Sequence, residues 1–419
     1  MDTPRDNPNI PRLIGWLYLV YFSGFGIYQP YLNLYFSRIG LSSPEIGILS
    51  SLRPLTAIVA PPLFGALADS LGQRSRLLAA TLWASLPAFV CLLLSRDFPA
   101  ALASYALFAL CVAPVIPLLD TAASEIAKHR YGRLRRWGSA GYLLAVVATG
   151  QLGQRWPLAT LLGTAMLFTA TAAILAGRLP APGGANAARD SAPGSGSPPS
   201  TVARSLRALY GIPAAWRAVW AVRPLRPVFV AGFLAALAQV PHYTFFSIYA
   251  DQLGMPEGMI GFAWGVGVIA EILVMSASSR WNTRLGPRVL FCVGIAGAAV
   301  RWAGMAAFTR PWIVVGLQVL HGLTFGALQV GAVTFIHARI PDQLRASGQA
   351  LWAALGAGAA SMLGAFAAGA LYDAIGPRAL YGGAAVLAAA ALATATLWQP
   401  RPRPSLSPTH VAARESSHV

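Results

Sequence analysis

The chain has 419 residues, 56% of them hydrophobic and only 11% charged, with a mean hydropathy of +0.57. A soluble domain carries about 25% charged residues, so this much apolar surface must be hidden by lipid, which excludes soluble-enzyme, disordered, collagen-like and disulfide-scaffold classes. The formal charge of +17, from 31 Lys and Arg against 14 Asp and Glu, falls in short clusters between apolar runs, the pattern of membrane loops and not of a nucleic-acid-binding face.

In chain order, apolar runs bounded by charges and Gly/Pro turns predict helical spans near 13–37, 45–69, 76–95, 99–124, 136–154, 157–177, 228–250, 256–279, 288–308, 311–337, 343–371 and 378–398. The first run is too long for a signal-peptide core and lacks a small-residue cleavage site, so it is expected to stay as the first span. The prolines at 61–62 and 114–117 predict kinked or broken helices. Cys91, Cys111 and Cys292 all fall inside apolar runs and imply no disulfide framework. The expected architecture is an all-α membrane protein of 12 transmembrane helices in two six-helix bundles related by a pseudo-two-fold axis.

Counting Lys and Arg between spans gives 24 on one side and 5 on the other, so both termini are expected in the cytoplasm of a bacterial inner membrane. The longest connection divides the chain into an N-terminal bundle (1–177), a linker (178–226), a C-terminal bundle (227–398) and a tail (399–419). In the linker, 180–200 is Pro-, Gly-, Ser- and Ala-rich and expected to be disordered. Residues 202–222 space Leu206, Leu209, Trp216 and Trp220 among arginines, which fits either a basic amphipathic helix on the inner leaflet or a solvated linker.

After the second span the chain reads Gly65-Ala-Leu-Ala-Asp69-Ser-Leu-Gly72-Gln-Arg74-Ser-Arg76. An aspartate at a helix C-terminus is badly placed for the helix dipole unless Arg74, Arg76 or a helix N-terminus compensates it, so these residues could latch helices that must later separate. The corresponding stretch 280–288 keeps Gly286 and Arg288 but lacks the Asp; the similar string 369–378 reads mainly as turn chemistry. The motif resembles the gating loop of the major facilitator superfamily. Residues 21–36, with Tyr21, Gly26 and Pro30, and 131–142, with Arg133, Arg135 and Trp137, resemble the lactose-permease group of that superfamily. Glu271 in the run 267–272, Arg301-Trp302, and Gln318 with His321 in the run 318–325 are most similar to its 3-phenylpropionate transporter branch. The resemblance covers nearly the whole chain outside the linker and tail. It implies the fold above and a secondary transporter that works as a monomer with a small-molecule substrate and protons, without cofactor or metal.

A charge held at the bilayer centre costs about 2.5 to 3.5 kcal/mol on insertion scales and needs a partner or a wet cavity. Helix rise places Glu271 roughly 22 Å from the start of its span, His321 roughly 15 Å and Arg301 roughly 20 Å from theirs, all inside the hydrocarbon but not at one level. A carboxylate in low dielectric holds a proton more readily and an adjacent Arg opposes that, so Glu271, Arg301 and His321 are candidate proton-coupling residues, against a static ion pair as the alternative. The resemblance points the same way and adds Asp120 as a second coupling candidate. It also makes Asp120 and Arg135 substrate contacts, although Arg135 could be an ordinary loop charge. Where the lactose-permease group carries a carboxylate one turn after this histidine, Thr324 stands here, so that proton site does not transfer directly.

Around these charges, Tyr28, Gln29 and Asn33 share a face of the first span, Gln239, His242 and Tyr243 share one of the seventh, and Trp264 shares one with Glu271. With Arg53 as an anion-binding or interface-snorkelling cation, this set suits a ligand having a ring and a polar or anionic head, or else simple helix packing. The expected function is proton symport of a small organic substrate, an aromatic carboxylate first, with sugar or nucleoside symport and drug efflux as rivals. Membrane-enzyme constellations such as H-E-x-x-H, Cys/His clusters or a P-loop are absent from the sequence, so an enzyme is not expected.

Overall fold

A computed structural model describes residues 9–71, 73–126, 131–180 and 213–396, except for the side chains of Pro61, Pro62, Ala66, Asp69, Ser70, Leu71 and Ile126. Among the described residues there is no strand. The first half comprises α1 (Asn9–Tyr28), α2 (Leu32–Arg38), α3 (Ser43–Leu71), α4 (Arg74–Leu94), α5 (Phe98–Val112), α6 (Val115–Ile126), α7 (Tyr131–Gly153) and α8 (Leu158–Gly177). A short helix α9 (213–221) leads into α10 (Arg226–Gln252), α11 (Glu257–Ala307), α12 (Pro311–Leu317), α13 (Leu328–Arg339), α14 (Arg345–Ala353) and α15 (Ser361–Thr396).

Of the expected breaks, the one at 114–117 is present, α5 giving way to α6 at Pro114, whereas α3 runs unbroken through Pro61 and Pro62, the helix absorbing the lost amide donors; a further break, around Pro30, separates α1 from α2. Asp97 starts α5 by accepting the Ala100 amide at 2.9 Å. Two long helices bend at Gly-Pro pairs, α11 at Gly286 (φ 80°) and α15 at Gly376 (φ 78°). Only glycine takes that backbone without strain, and the proline behind it cannot continue the hydrogen-bond ladder. Length and hydropathy single out eight stretches able to cross a membrane. The expected count of twelve therefore rests on reading the two bent helices as two rods each and on including α3 and α7.

Two turns, one in each half, close alike. Gly40 (φ 92°) and Gly254 (φ 74°) end helices in the same way. Leu41 N–H donates to Phe36 O at 3.0 Å and Gly40 N–H to Ser37 O at 3.1 Å; Met255 donates to Ala250 at 3.0 Å and Gly254 to Asp251 at 2.9 Å. Each pair is a 6→1 and 4→1 closure on an αL glycine, a common helix ending that here follows the first helical stretch of each half.

Packing shows how the halves meet. One apolar core runs through both of them, from Tyr31, Phe36 and Leu49 in the first to Phe245, Ile260 and Tyr372 in the second. Two further cores are private, one of Ile14, Tyr18, Leu82 and Leu119, the other of Phe229, Phe291, Phe335 and Trp352. The halves are therefore joined at one end and separate towards the arginine-rich end, where the private cores lie. Of the helix expected over 202–222, residues 202–212 lie outside the described part. In α9 Val219 is fully buried in the second half's private core with Trp216 packed against it, so this segment docks on the bundle through its apolar face.

At the joined end Arg38 donates to Asp251 at 2.6 Å and to Glu257 at 2.9 Å, and the Ser43 hydroxyl donates to Asp373 at 2.8 Å. Partial burial disfavours the Arg38 charge, but hydrogen bonds and charge from Asp251 and Glu257 outweigh it and raise its pKa above the ordinary guanidinium value. Beneath the clamp, helices touch backbone to backbone: a Cβ on Gly47 would lie 2.7 Å from the Gly369 Cα, and one on Gly150 3.0 Å from the Gly261 Cα. Such approach is how apolar helices associate where lipid offers no hydrophobic gain.

Candidate functional site

The second half holds a fully buried guanidinium. Arg301, on the second limb of α11 and 0% exposed, donates through one terminal nitrogen to His321 Nδ1 at 2.9 Å and Thr324 Oγ1 at 3.3 Å. Its other terminal nitrogen donates to His242 Nε2 at 3.0 Å and to the Gln318 side-chain oxygen. Because a guanidinium can only donate, both histidine nitrogens it meets are acceptors, and the proton of each neutral ring sits on the other nitrogen. His321 thus presents Nε2–H towards the Glu271 carboxylate, 3.7 Å away.

The three charged or titratable residues picked from the sequence are therefore brought together, with one correction. Arg301 is not adjacent to Glu271: the imidazole of His321 stands between them. They meet despite their unequal distances from the helix ends, because their side chains reach across the difference, and the chain around His321 is not a regular α-helix. Residues 318–320 form a 3₁₀ turn and 322–327 a π turn, and this irregular stretch carries Gln318, His321 and Thr324, three apart in sequence, to one guanidinium. Such local departures gather at functional sites. Gln318, held by the Val314 carbonyl at 2.8 Å, is a further partner of the guanidinium, uncharged and so unmarked by the cost of burying charge.

The surroundings are aromatic. The His242 ring lies 4.9 Å from Trp264, 4.7 Å from Phe246 and 5.6 Å from Trp302, and Tyr243 stacks on Trp264 at 6.3 Å. Trp264 donates to Ser247 at 3.0 Å, which donates to the Pro30 carbonyl of the first half at 2.5 Å. Gln239 places its amide 3.5 Å from His321 Nδ1. His242 Nδ1, Arg301 Nε, Trp302 Nε1 and the Tyr381 hydroxyl are buried without a partner among the described residues.

In the first half Asp120 accepts from the Tyr18 hydroxyl at 2.5 Å and faces Arg135 at 3.6 Å. The Arg135 guanidinium also lies over Phe22 at 4.6 Å. Asp120, Arg135 and Glu271 keep 30%, 36% and 27% of their side chains exposed, so the two groups are open to water where Arg301 is not. Arg53 sits over the Phe25 ring at 4.5 Å.

Three expected contacts have other surroundings. Tyr28 is buried among Phe25, Phe89 and Phe108. Gln29 accepts from Tyr142 at 2.7 Å. Asn33 donates to Ser50 at 3.0 Å and to the Thr244 carbonyl at 2.9 Å, tying one half to the other.

Of the motif expected to gate, Gly72 and the Asp69 side chain lie outside the described residues. Gly65 lies within α3. Arg74 pairs with Glu125, which by sequence alone reads as no more than a helix-end charge, and Arg76 donates to Gln73 at 2.7 Å. Among the described residues no group of His, Cys, Asp and Glu has the makings of a metal site.

Comparison with known proteins places this geometry. The family described as the MFS_1 like family matches residues 13–382. A probable 3-phenylpropionic acid transporter of Escherichia coli is 28% identical over 380 residues, covering 86% of this chain and 92% of the relative. A maltose permease of Geobacillus stearothermophilus is 28% identical over 346 residues, 81% and 82% of the two chains. The crystal structure of the nucleoside transporter NupG superposes with a TM-score of 0.76 at 17% identity, over 92% of this chain and 99% of that one, a likeness of fold. The chain belongs to the MFS_1 like family and is a multi-pass membrane transporter of the major facilitator superfamily.

Proposed function

We propose that this transporter is a proton symporter for a small aromatic carboxylate, with Glu271 as its proton carrier and both termini in the cytoplasm. The observation that carries the reading is the chain Arg301–His321–Glu271, in which a buried cation is joined to a partly exposed carboxylate through one neutral imidazole. The cleft opens at the arginine-rich end, which the charge bias makes cytoplasmic.

Charge explains the coupling. A carboxylate substrate entering beside ionised Glu271 would set two anions in low dielectric, and a proton on Glu271 removes that repulsion, so anion and proton favour each other's binding. Arg135 and Arg53 supply the cations that meet the carboxylate. Asp120 competes with substrate for Arg135, so protonating Asp120 frees that guanidinium. Trp264 and Tyr243 offer the ring a face. The relative named for 3-phenylpropionic acid supports this substrate class. Closing the arginine-rich end and parting the Arg38 clamp would complete alternating access by a monomer.

The test is reconstitution in liposomes with an internal pH dye, adding 3-phenylpropionate, benzoate-type acids, galactosides and nucleosides under an imposed proton gradient. Acidification on adding an aromatic acid, lost in Glu271→Gln, is expected. Acidification with a galactoside or nucleoside instead would transfer the substrate class, and uptake without proton movement would sink the coupling.

A further inference from the structure

A second site lies on the outside of the first bundle. A pocket of about 240 Å³ is lined by Pro11, Arg12, Gly15 and Trp16 of α1 and by Arg133, Leu134 and Trp137 of α7. The helices run side by side in the same direction, since Gly15 meets Trp137, Gly138 meets Phe22 and Gly26 meets Tyr142. Arg12 and Trp16 are four apart, as are Arg133 and Trp137, so each helix presents an arginine and, about 6 Å deeper, a tryptophan on one face. The indoles stack at 6.4 Å and are 58% and 51% exposed. No hydrogen bond or ion pair holds either guanidinium among the described residues. On the pocket floor a Cβ at Gly15 would come within 3.3 Å of Trp137.

The pocket is not part of the transport cleft. Tyr18 and Arg135 meet at Asp120, and Trp16 and Trp137 stand two residues away from them, about 200° around their helices. They therefore face out of the bundle. Two cations without a partner among the described residues, at the end of a helix pair and with two exposed indoles one turn deeper, match an anionic phospholipid: phosphate at the arginines, glycerol and upper acyl chain against the tryptophans.

We propose that this pocket binds the phosphodiester headgroup of one anionic phospholipid from the leaflet at the arginine-rich end. The proposal needs the membrane setting only and is independent of substrate and coupling.

The full chain is purified from phosphatidylcholine nanodiscs doped with phosphatidylglycerol, and the lipids retained after mild delipidation are counted by native mass spectrometry. At about fivefold per basic residue near the membrane surface, wild type retains phosphatidylglycerol about thirtyfold over phosphatidylcholine, and R12Q/R133Q falls to within about threefold of no preference. R280Q/R284Q, which removes two exposed arginines from the same end, keeps the wild-type ratio. W16A/W137A, with both arginines intact, retains fewer lipids. No preference in wild type, an equal fall in R280Q/R284Q, or unchanged retention in W16A/W137A would overturn the site. Release of the lipid by excess inorganic phosphate would make it a phosphate site, overturning the lipid assignment.

Discussion

Arg301 and Glu271 are held apart by one imidazole ring: His321 accepts from the arginine at 2.9 Å and turns its protonated nitrogen to the carboxylate at 3.7 Å. The arginine is sealed and the carboxylate is partly wet, so the histidine connects the interior of the bundle to the cleft. Its tautomer is fixed by a donor that cannot lose its proton at physiological pH.

Replacing that ring with an apolar one of similar shape tests the connection. In His321→Phe the guanidinium keeps His242 and Gln318, so the fold survives, while Glu271 loses its link. Proton-coupled accumulation in liposomes is expected to fall about 10- to 100-fold, the scale of one lost charge-assisted bond. Accumulation within threefold of wild type would mean that Glu271 works alone.

Arg301→Lys keeps the charge and discards the fork. An ammonium is a compact point charge and cannot span His321, Thr324, His242 and Gln318 from one position. Each acceptor left buried and unsatisfied costs about 1–3 kcal/mol, so a fall in the midpoint of thermal unfolding in detergent is expected together with loss of uptake. Wild-type stability in this variant would show that the charge alone matters.

The pH dependence of binding has a definite sign. If an anion binds together with one proton on Glu271, its affinity is full when Glu271 is protonated and weakens by about tenfold per pH unit once Glu271 ionises. Isothermal titration across pH should show that decline in wild type and a flat profile in Glu271→Gln. A slope that survives the substitution would assign the proton to another group, Asp120 first.

At the joined end, Arg38→Gln removes both ion pairs of the clamp. Surface pairs contribute up to about 1 kcal/mol each, so the open population at that end should rise by about threefold to thirtyfold. Ala365, buried against Gly47, can report it as Ala365→Cys in a chain whose own three cysteines are serine. Faster labelling by a membrane-impermeant maleimide is the expected result, and an unchanged rate would show that the helix contacts hold the end by themselves.

Much of the fold was legible because lipid forces long apolar helices and because Gly-Pro pairs end them whatever surrounds them. Glu271, Arg301 and His321 were legible for the same reason, since charge in hydrocarbon is conspicuous. Gln318 was not, because an uncharged amide carries no such signal, although it stands three residues before His321 on the same face. Nor was the Arg38 clamp, which joins residues 213 apart whose meeting depends on how two bundles pack. Tyr28 and Asn33 show the opposite failure: a polar face was readable, but the phenol is buried in an aromatic core and the amide ties the halves. A helical wheel shows which side a residue is on, and the neighbouring helix decides what it meets there.

The bare backbone contacts at Gly47–Gly369 and Gly150–Gly261 bear on speed. Surfaces that interlock through long side chains must rearrange rotamers before they part, whereas smooth ones can roll and slide as rigid bodies. Opening this end therefore asks for release of the ionic ties, of the Asn33 and Ser247 bonds and of the shared apolar core, with no backbone interlock to undo. At these two contacts the faces can part and rejoin without moving a side chain, since neither glycine carries one.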